Sequence, residues 1–403
     1  MSEPAIPSLS LPDPSDLLAS FDHQPRTRIV YGEGIVERVG ELARETGIQQ
    51  ALVVTDAGIA AAGHLDLVRE SLDAAGVKVV LFDKVRENPT TADVENCLQA
   101  AKGSAVDGII GLGGGSSLDT AKGCNFLLTN GGRMHDYWGV GKARKAMLPL
   151  IAIPTTAGTG SECQSFALIA DVTTHQKMAC GDPKAAARVA LLDPALTLSQ
   201  PPRVTACTGL DALSHALESA VARRRTMLSL AFSRQAFALC SANLRRVLEA
   251  PDEIEGRAGM LLGAALGGLA IENSMLGAAH AAANPLTAHF NVLHGLAVGI
   301  MLPGVMRFNA KDPVALQVYN SLDLDLKTNG NGAAEAKVEH LAGEVRGLLK
   351  LASLPRSLAD CGVKRDSIPM LAAEAARQWT GTFNPRTLTE FDFVRLYEEA
   401  FEG

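Results

Sequence analysis

His280 and His294 stand in a segment, Asn273 to Pro303, that contains no charged side chain. His289 lies between them, and small and apolar residues surround all three, so the segment reads as buried. A buried imidazole needs a partner for each ring nitrogen, and a metal ion is one such partner. A single histidine in this setting is more often a core residue bonded to a backbone carbonyl. Asp211 and His215, in TGLDALSHALESAV, change that balance. An Asp-x-x-x-His pair places both side chains on one face of a helix. One carboxylate and three imidazoles then become available to one ion, a set that suits Zn²⁺ or Fe²⁺ and not Ca²⁺ or Mg²⁺.

The elements that must hold these residues follow from length and pattern. With 403 residues the chain can bury a large core in two domains. It is 47% hydrophobic and 20% charged, which excludes a disordered protein, and its net charge of −7 argues against nucleic acid as a partner. Seven scattered cysteines without a Cys-x-x-Cys pair fit a reducing compartment. The N-terminal residues 1–25 lack the basic start and apolar run of a signal peptide and read as a Pro/Ser-rich arm. The uncharged run Ala258 to Ile271 is too short to span a bilayer and suits a buried helix. A soluble cytoplasmic protein without a membrane partner is expected.

The first half alternates short β-rich runs with helical stretches. Strands are expected at 28–31, 51–55, 77–82, 108–112, 148–153 and 189–192, with helices at 35–46, 64–75, 91–101 and 118–128. That alternation predicts an α/β domain with a parallel sheet covered by helices on both faces. Residues 165–170 and 176–180 form a candidate hairpin around Asp171 to His175. From about residue 197 only helical periodicity remains. We therefore expect a dinucleotide-binding domain over 1–196 and an all-helical metal-binding domain over 197–403. Arg223 to Arg225 read as a solvated corner between helices.

GIIGLGGGSSLDTAKG joins a buried strand to a helix through Gly113, Gly114 and Gly115. Without β-carbons the backbone can approach a pyrophosphate, and the helix start offers free N–H groups. The same turn also occurs for purely geometric reasons. It is neither a Walker A loop nor a close match to Gly-x-Gly-x-x-Gly. Ser116 and Ser117 are candidate caps, with Asp119 placed in the first turn. Asp56, at a strand end, can accept from the ribose of NAD and repel the 2′-phosphate of NADP, or it can simply close an Asx turn. Thr155, Thr156, Thr159 and Ser161, in PTTAGTGSE, form a second polar loop at a strand end, suited either to a nucleotide or to capping itself.

Taken together, GGGSSLDTAKG, IPTTAGTGSE, LLDPALTLSQPPRVTACTGLDALSHALES, HAAANPLTAHFNVLHGLAVGIMLPGVMRFN and FNPRTLTEFDFVRLYEEAF resemble the iron-containing (group III) alcohol dehydrogenases. The resemblance runs from about residue 25 to the end. It implies a dinucleotide-binding domain, a helical domain, and a metal in the cleft between them. The family's ligand pattern falls on Asp211, His215, His280 and His294. Its cofactor contacts fall on Asp56, Gly114, Gly115 and Ser116, and further on Asp119, Thr155, Thr159 and Lys177. Its substrate pocket implies Phe166, Ile271 and Leu276. NAD(H) and Fe²⁺, with Zn²⁺ as the alternative ion, are the implied cofactors, and a homodimer or higher homo-oligomer the implied assembly.

The sequence departs from the family twice. Where the family has a proton-relaying histidine four residues after His280, this chain has Asn284, whose amide does not titrate near neutral pH. Leu293 replaces the usual proline before His294. The expected reaction is hydride transfer between a small alcohol and nicotinamide, giving an aldehyde or ketone, with the substrate oxygen on the metal. The alternatives are a zinc polyol dehydrogenase of the glycerol type, a metal-independent maleylacetate reductase, and a nucleotide-binding protein without turnover. The full ligand set argues against the second. Asn284 gives the third its weight. His289, five residues on from Asn284, is the nearest other imidazole, and Pro285 is expected to disturb the helix between them.

Overall fold

The computed structural model describes residues 20–174, 176–322 and 333–403. Residues 1–19 of the expected arm lie outside them, as does His175 in the turn of the expected hairpin.

The first half builds a six-stranded parallel sheet from β1 (Arg28–Tyr31), β2 (Gln50–Val54), β3 (Lys78–Phe82), β4 (Gly108–Gly113), β6 (Leu150–Pro154) and β9 (Val189–Leu192). Their order across the sheet is β1-β9-β6-β4-β2-β3, and every pairing is parallel. Alternate side chains of a strand point to opposite faces, and both faces here are covered. Val53, Ile110, Leu112, Ile151 and Ile153 pack on one side with Leu42, Val68 and Leu72. Those partners come from α1 (Val39–Glu45) and α3 (His64–Ala74), which flank the short α2 (Ala57–Ala61). On the other face Leu52, Val54, Ile109 and Leu150 pack with Cys97 of α4 (Thr91–Ala101) and with Leu118, Ala121 and Cys124 of α5 (Gly115–Asn130). Being buried on both faces explains why the strands read as continuous apolar runs.

A small second sheet joins β5 (Gly139–Val140), β8 (Lys177–Gly181) and β7 (Phe166–Ala170) in the order β5-β8-β7, with β7 and β8 antiparallel. Its strands β7 and β8 follow the polar loop after β6 and carry Phe166 and Lys177 toward the cleft.

Beyond β9 the chain is helical. The core is built by α6 (Pro202–Val221), α7 (Met227–Glu249), α8 (Ile254–Glu272), α9 (Ala278–Phe290) and α10 (His294–Asn309). Around them lie α11 (Pro313–Leu322), α12 (Ala333–Leu351), α13 (Ile368–Ala375) and α14 (Glu390–Glu402). α9 runs unbroken through Pro285. By length and composition alone α8 could cross a membrane. It is instead a core helix, with Met260, Leu261, Ala264, Ala265 and Ala270 buried.

The two halves meet backbone to backbone. Gly160, in the loop after β6, has φ 61°, and it rests on Gly268 of α8. A β-carbon on Gly268 would overlap the Gly160 carbonyl. The side chains beside this seam close it: Glu272 accepts from the Ser165 amide at 3.0 Å and its hydroxyl at 2.7 Å, and Arg26 donates to Glu272 at 3.1 Å. Forcing a methyl into such a contact costs about 1–3 kcal/mol. Gly268→Ala is expected to lower stability by that order in chemical denaturation and to weaken NADH binding, because the displaced loop also faces the glycine turn. Unchanged denaturation and NADH titrations would show that the seam tolerates a β-carbon.

Candidate active site

α6 is buried along almost its whole length, so its polar side chains must answer to one another. Asp211, His215 and Glu218 lie one turn apart along one face. α9 brings His280 in its first turn, and α10 begins at His294. The ligand atoms of Asp211, His215 and His280 lie within 4.8 Å of one another. Asp211 Oδ1 sits 3.4 Å from His215 Nε2, 3.4 Å from His280 Nε2 and 3.9 Å from His294 Nε2. His294 is therefore at the rim of the group, and a quarter of its side chain is exposed. The rings of His215 and His280 stack at 4.9 Å, and that of His294 is tilted 5.3 Å from His280.

These contacts are not hydrogen bonds. Asp211 Oδ1 and His280 Nε2 are buried without any hydrogen-bond partner. Leaving such groups unpaired costs about 1–3 kcal/mol each. Ligands bound at about 2.0–2.1 Å on a tetrahedral ion are separated by roughly 3.4 Å, the spacing of Asp211 from His215 and from His280. The donor set thus fits a divalent Fe or Zn ion in its spacing, its chemistry and its unmet bonds. Burial, then the Lys177 charge and the neighbouring imidazoles, hold His294 below the usual histidine range, as burial does His215, which favours the neutral form that ligates. Burial opposes the charged form of His280 too, but Glu218 and Asp211 overcome it and raise this ring to about 9.

Glu218 was not singled out in the sequence. Its Oε2 lies 2.6 Å from His280 Nδ1, and the carboxylate also accepts from the amides of Gly277 at 3.1 Å and Ala279 at 2.6 Å. It caps the start of α9 from another helix and aims Nε2 of His280 at Asp211. Asn384 completes the cap by accepting from the Ala278 amide at 3.2 Å. The only signal in the sequence was the Asp-x-x-x-His-x-x-Glu spacing.

The cofactor side lies beyond the carboxyl ends of β2, β4 and β6. α5 starts at Gly115, three residues earlier than expected, with Gly114 as N-cap and no side-chain cap. Ser116 and Ser117 fall inside the first turn and do not cap it. The helix start is therefore open to an anion. β-Carbons at Gly114 and Gly115 would crowd Thr156 and Thr159, so glycine there lets the two loops close on each other. Asp119 sits a turn deeper than expected and is buried, accepting from Ser161 Oγ at 2.8 Å. Lys122, also unforeseen, donates to the Ser161 carbonyl at 2.6 Å, its hydroxyl at 2.8 Å and the Phe166 carbonyl at 2.9 Å. Asp56 Oδ1 accepts from the amides of Gly58 and Ile59, which is the Asx-turn reading. Its Oδ2 faces Gly113 and leaves room for the ribose reading as well. Thr155 is buried at the end of β6. Burial lowers the Lys177 amine, which Asp119 and Asp211 draw back up.

Asn284, half-buried one turn beyond His280, donates to Gln378 Oε1 at 3.1 Å. His289 pairs with Glu374 at 2.9 Å on an exposed edge. Of the pocket candidates, Ile271 is buried, while Phe166 and Leu276 are half-buried. The Ser165–Glu272 bonds hold the segments of Phe166 and Ile271 side by side.

Comparison with known proteins gives a consistent result. The family model of iron-containing alcohol dehydrogenases matches residues 25–194, and that of the C-terminal part of the Fe-containing alcohol dehydrogenase family matches residues 205–401. The NAD-dependent methanol dehydrogenase of Bacillus methanolicus is 33% identical over 92% of this chain and 97% of its own. The choline dehydrogenase of Bacillus subtilis is 35% identical over 93% of this chain and 94% of its own. The solved structure of an alcohol dehydrogenase from Oenococcus oeni is 28% identical, with a TM-score of 0.90 over 95% of this chain and 100% of that one.

The position of Glu218 gives a direct test. Glu218→Gln keeps the shape but weakens the grip on His280. Loss of such an outer partner costs about 10–100-fold in metal affinity. Competition with a chelator should show a fall of that size in a variant that still folds, and an unaltered metal affinity would remove Glu218 from this role.

Proposed function

We infer the reaction from one premise: the chain belongs to the iron-containing alcohol dehydrogenase family. It is a metal-dependent, NAD(H)-linked oxidoreductase acting on small alcohols and aldehydes. The observation that carries this reading is the group of buried donors without partners, set below an uncapped helix start at the switch point of a parallel sheet.

We assign the metal to Asp211, His215, His280 and His294, with Fe²⁺ ahead of Zn²⁺. The pyrophosphate of NAD(H) is assigned to the start of α5 at Gly114, Gly115 and Ser116, and the ribose to Asp56 Oδ2. Asp119, Thr155, Thr159 and Lys177 line the path toward the nicotinamide. When bound, the ion supplies a Lewis acid for the substrate oxygen and the nicotinamide supplies or accepts the hydride. The chain does the rest. Glu218 holds the His280 ring in place. Phe166, Ile271 and Leu276 exclude water from the reacting carbon, which strengthens every charge interaction there. Asn284, tied to Gln378, can orient a water but cannot take its proton. Proton release therefore runs through solvent at this edge of the cleft. A cytoplasmic location is proposed from the seven scattered cysteines, none of which is paired with another.

The deciding experiment is elemental analysis of anaerobically prepared protein together with an alcohol and aldehyde panel and NAD(H). Bound iron or zinc with hydride transfer supports the reading. Tight NADH binding without turnover of any alcohol or aldehyde would favour a nucleotide-binding protein.

Two variants test the assignments. NAD is expected over NADP, since Asp56 would repel a 2′-phosphate at the end of β2. Asp56→Asn keeps the cap on Gly58 and Ile59 but removes the charge, and should raise the NADP:NAD ratio of kcat/KM by about tenfold, or ~1.4 kcal/mol. Equal use of both cofactors by the unmutated protein would end that role. Asn284→His should raise turnover near neutral pH by at least about tenfold and reshape the pH–rate profile, since a positioned acid or base is worth about 10²–10⁴-fold. Full metal content with an unaltered profile would place the proton route elsewhere.

A further inference from the structure

Three aromatic rings line the outer edge of the cleft. Trp379 and Phe383 belong to a short 3₁₀ segment, Trp379–Phe383, that follows α13. This segment lies along α9, the helix that carries His280. Gln378, just before it, holds Asn284, and a β-carbon on Gly381 would lie 3.4 Å from that of Ala281, the neighbour of His280. From here Trp379 reaches across to the other domain. Its ring centroid is 5.8 Å from that of Phe166 and 5.5 Å from that of Phe383, edge to face. Phe166 is fixed in turn: its carbonyl accepts from Lys122, and its ring fills the space over Gly181 that a β-carbon would occupy. Two rings from opposite domains thus meet beside the stretch of α9 that carries His280 and Asn284.

We propose that Trp379 is a specificity-determining residue that closes the alcohol subsite against Phe166 and limits it to short, uncharged tails. This rests on reading the cleft as that of an alcohol dehydrogenase. A ring contact at this distance leaves no passage between the two side chains, so a substrate tail must fit between them and the metal group. Aromatic faces of this kind can also cage a quaternary ammonium. Here, however, the guanidinium of Arg224 already lies 5.8 Å from the Phe383 ring centroid. The charge beside the wall is positive and disfavours a choline-like cation. The subsite therefore takes neutral primary alcohols of a few carbons, and the aldehydes they form.

The test is kcat/KM for ethanol, 1-butanol, 1-hexanol and choline, with metal-loaded unmutated protein, Trp379→Ala and Trp379→Phe. One methylene in an apolar pocket is worth about 10–200-fold. Opening the wall with Trp379→Ala should therefore raise the hexanol:ethanol ratio by about tenfold or more, with Trp379→Phe between it and the unmutated protein. Trp379 is 37% exposed, so both variants should fold, and a melting curve with an NADH titration checks this. The same ratio in all three folded proteins overturns the proposal. So does a preference of the unmutated protein for choline over 1-butanol. Failure of the unmutated protein to oxidise any of the four sinks the alcohol dehydrogenase reading itself, a different outcome from an active enzyme with an unchanged ratio. If Trp379→Ala does not fold, Trp379→Phe alone decides by the direction of the ratio.

Discussion

The Glu218 carboxylate is the contact on which the site depends. It is buried at the centre of the helical domain, where an isolated charge would be costly. Three N–H groups meet it there: two amides from the start of α9 and the His280 ring. The start of α9 adds the positive end of its dipole. One side chain thereby joins α6 to α9, fixes the direction of a ligand ring and supplies the charge that balances a cation. Fold and chemistry are not separable at this residue, since the bonds that cap α9 also aim its histidine.

The rest of the cleft is arranged around leaving groups unsatisfied. Asp211 Oδ1 and His280 Nε2 lack partners, and the start of α5 lacks a side-chain cap. A protein selected for stability alone would fill such positions, because each buried unpaired group costs about 1–3 kcal/mol. Here they face one another across a seam held by the close approach of Gly160 to Gly268 and by Glu272, which receives both Ser165 and Arg26. The seam keeps the open helix start of one domain opposite the open ligand atoms of the other.

Much of this was legible in the sequence, for physical reasons. Strands of a doubly covered parallel sheet are apolar on both faces, so 51–55, 108–112 and 189–192 stood out as runs. The Asp211–His215 spacing is local, and a helix fixes what it means. Three glycines after a buried strand mark a close approach whatever the ligand. What stayed hidden was set by contacts across long stretches of chain. Glu218 looks like any helical glutamate until α9, about sixty residues later, arrives above it. Lys122 looks like a solvated lysine, yet its three acceptors lie in the loop at 161–166. The start of α5 was misjudged because serine is a good N-cap in general, whereas Gly114 takes that position and leaves both serines in the first turn.

Asn284 shows how a residue that cannot titrate can still have a structural place beside the site. The amide occupies the position one turn beyond His280 and is not idle, because it donates to Gln378. An imidazole there would carry a proton between substrate and solvent, while two amides can only hand on hydrogen bonds. His289 does not replace it, since its partner is Glu374 on the exposed edge of α9. The Asn284–Gln378 pair also tethers the segment that carries Trp379. An amide at this position cannot move a proton but holds the segment of the proposed wall, which gives a physical reason for an amide there.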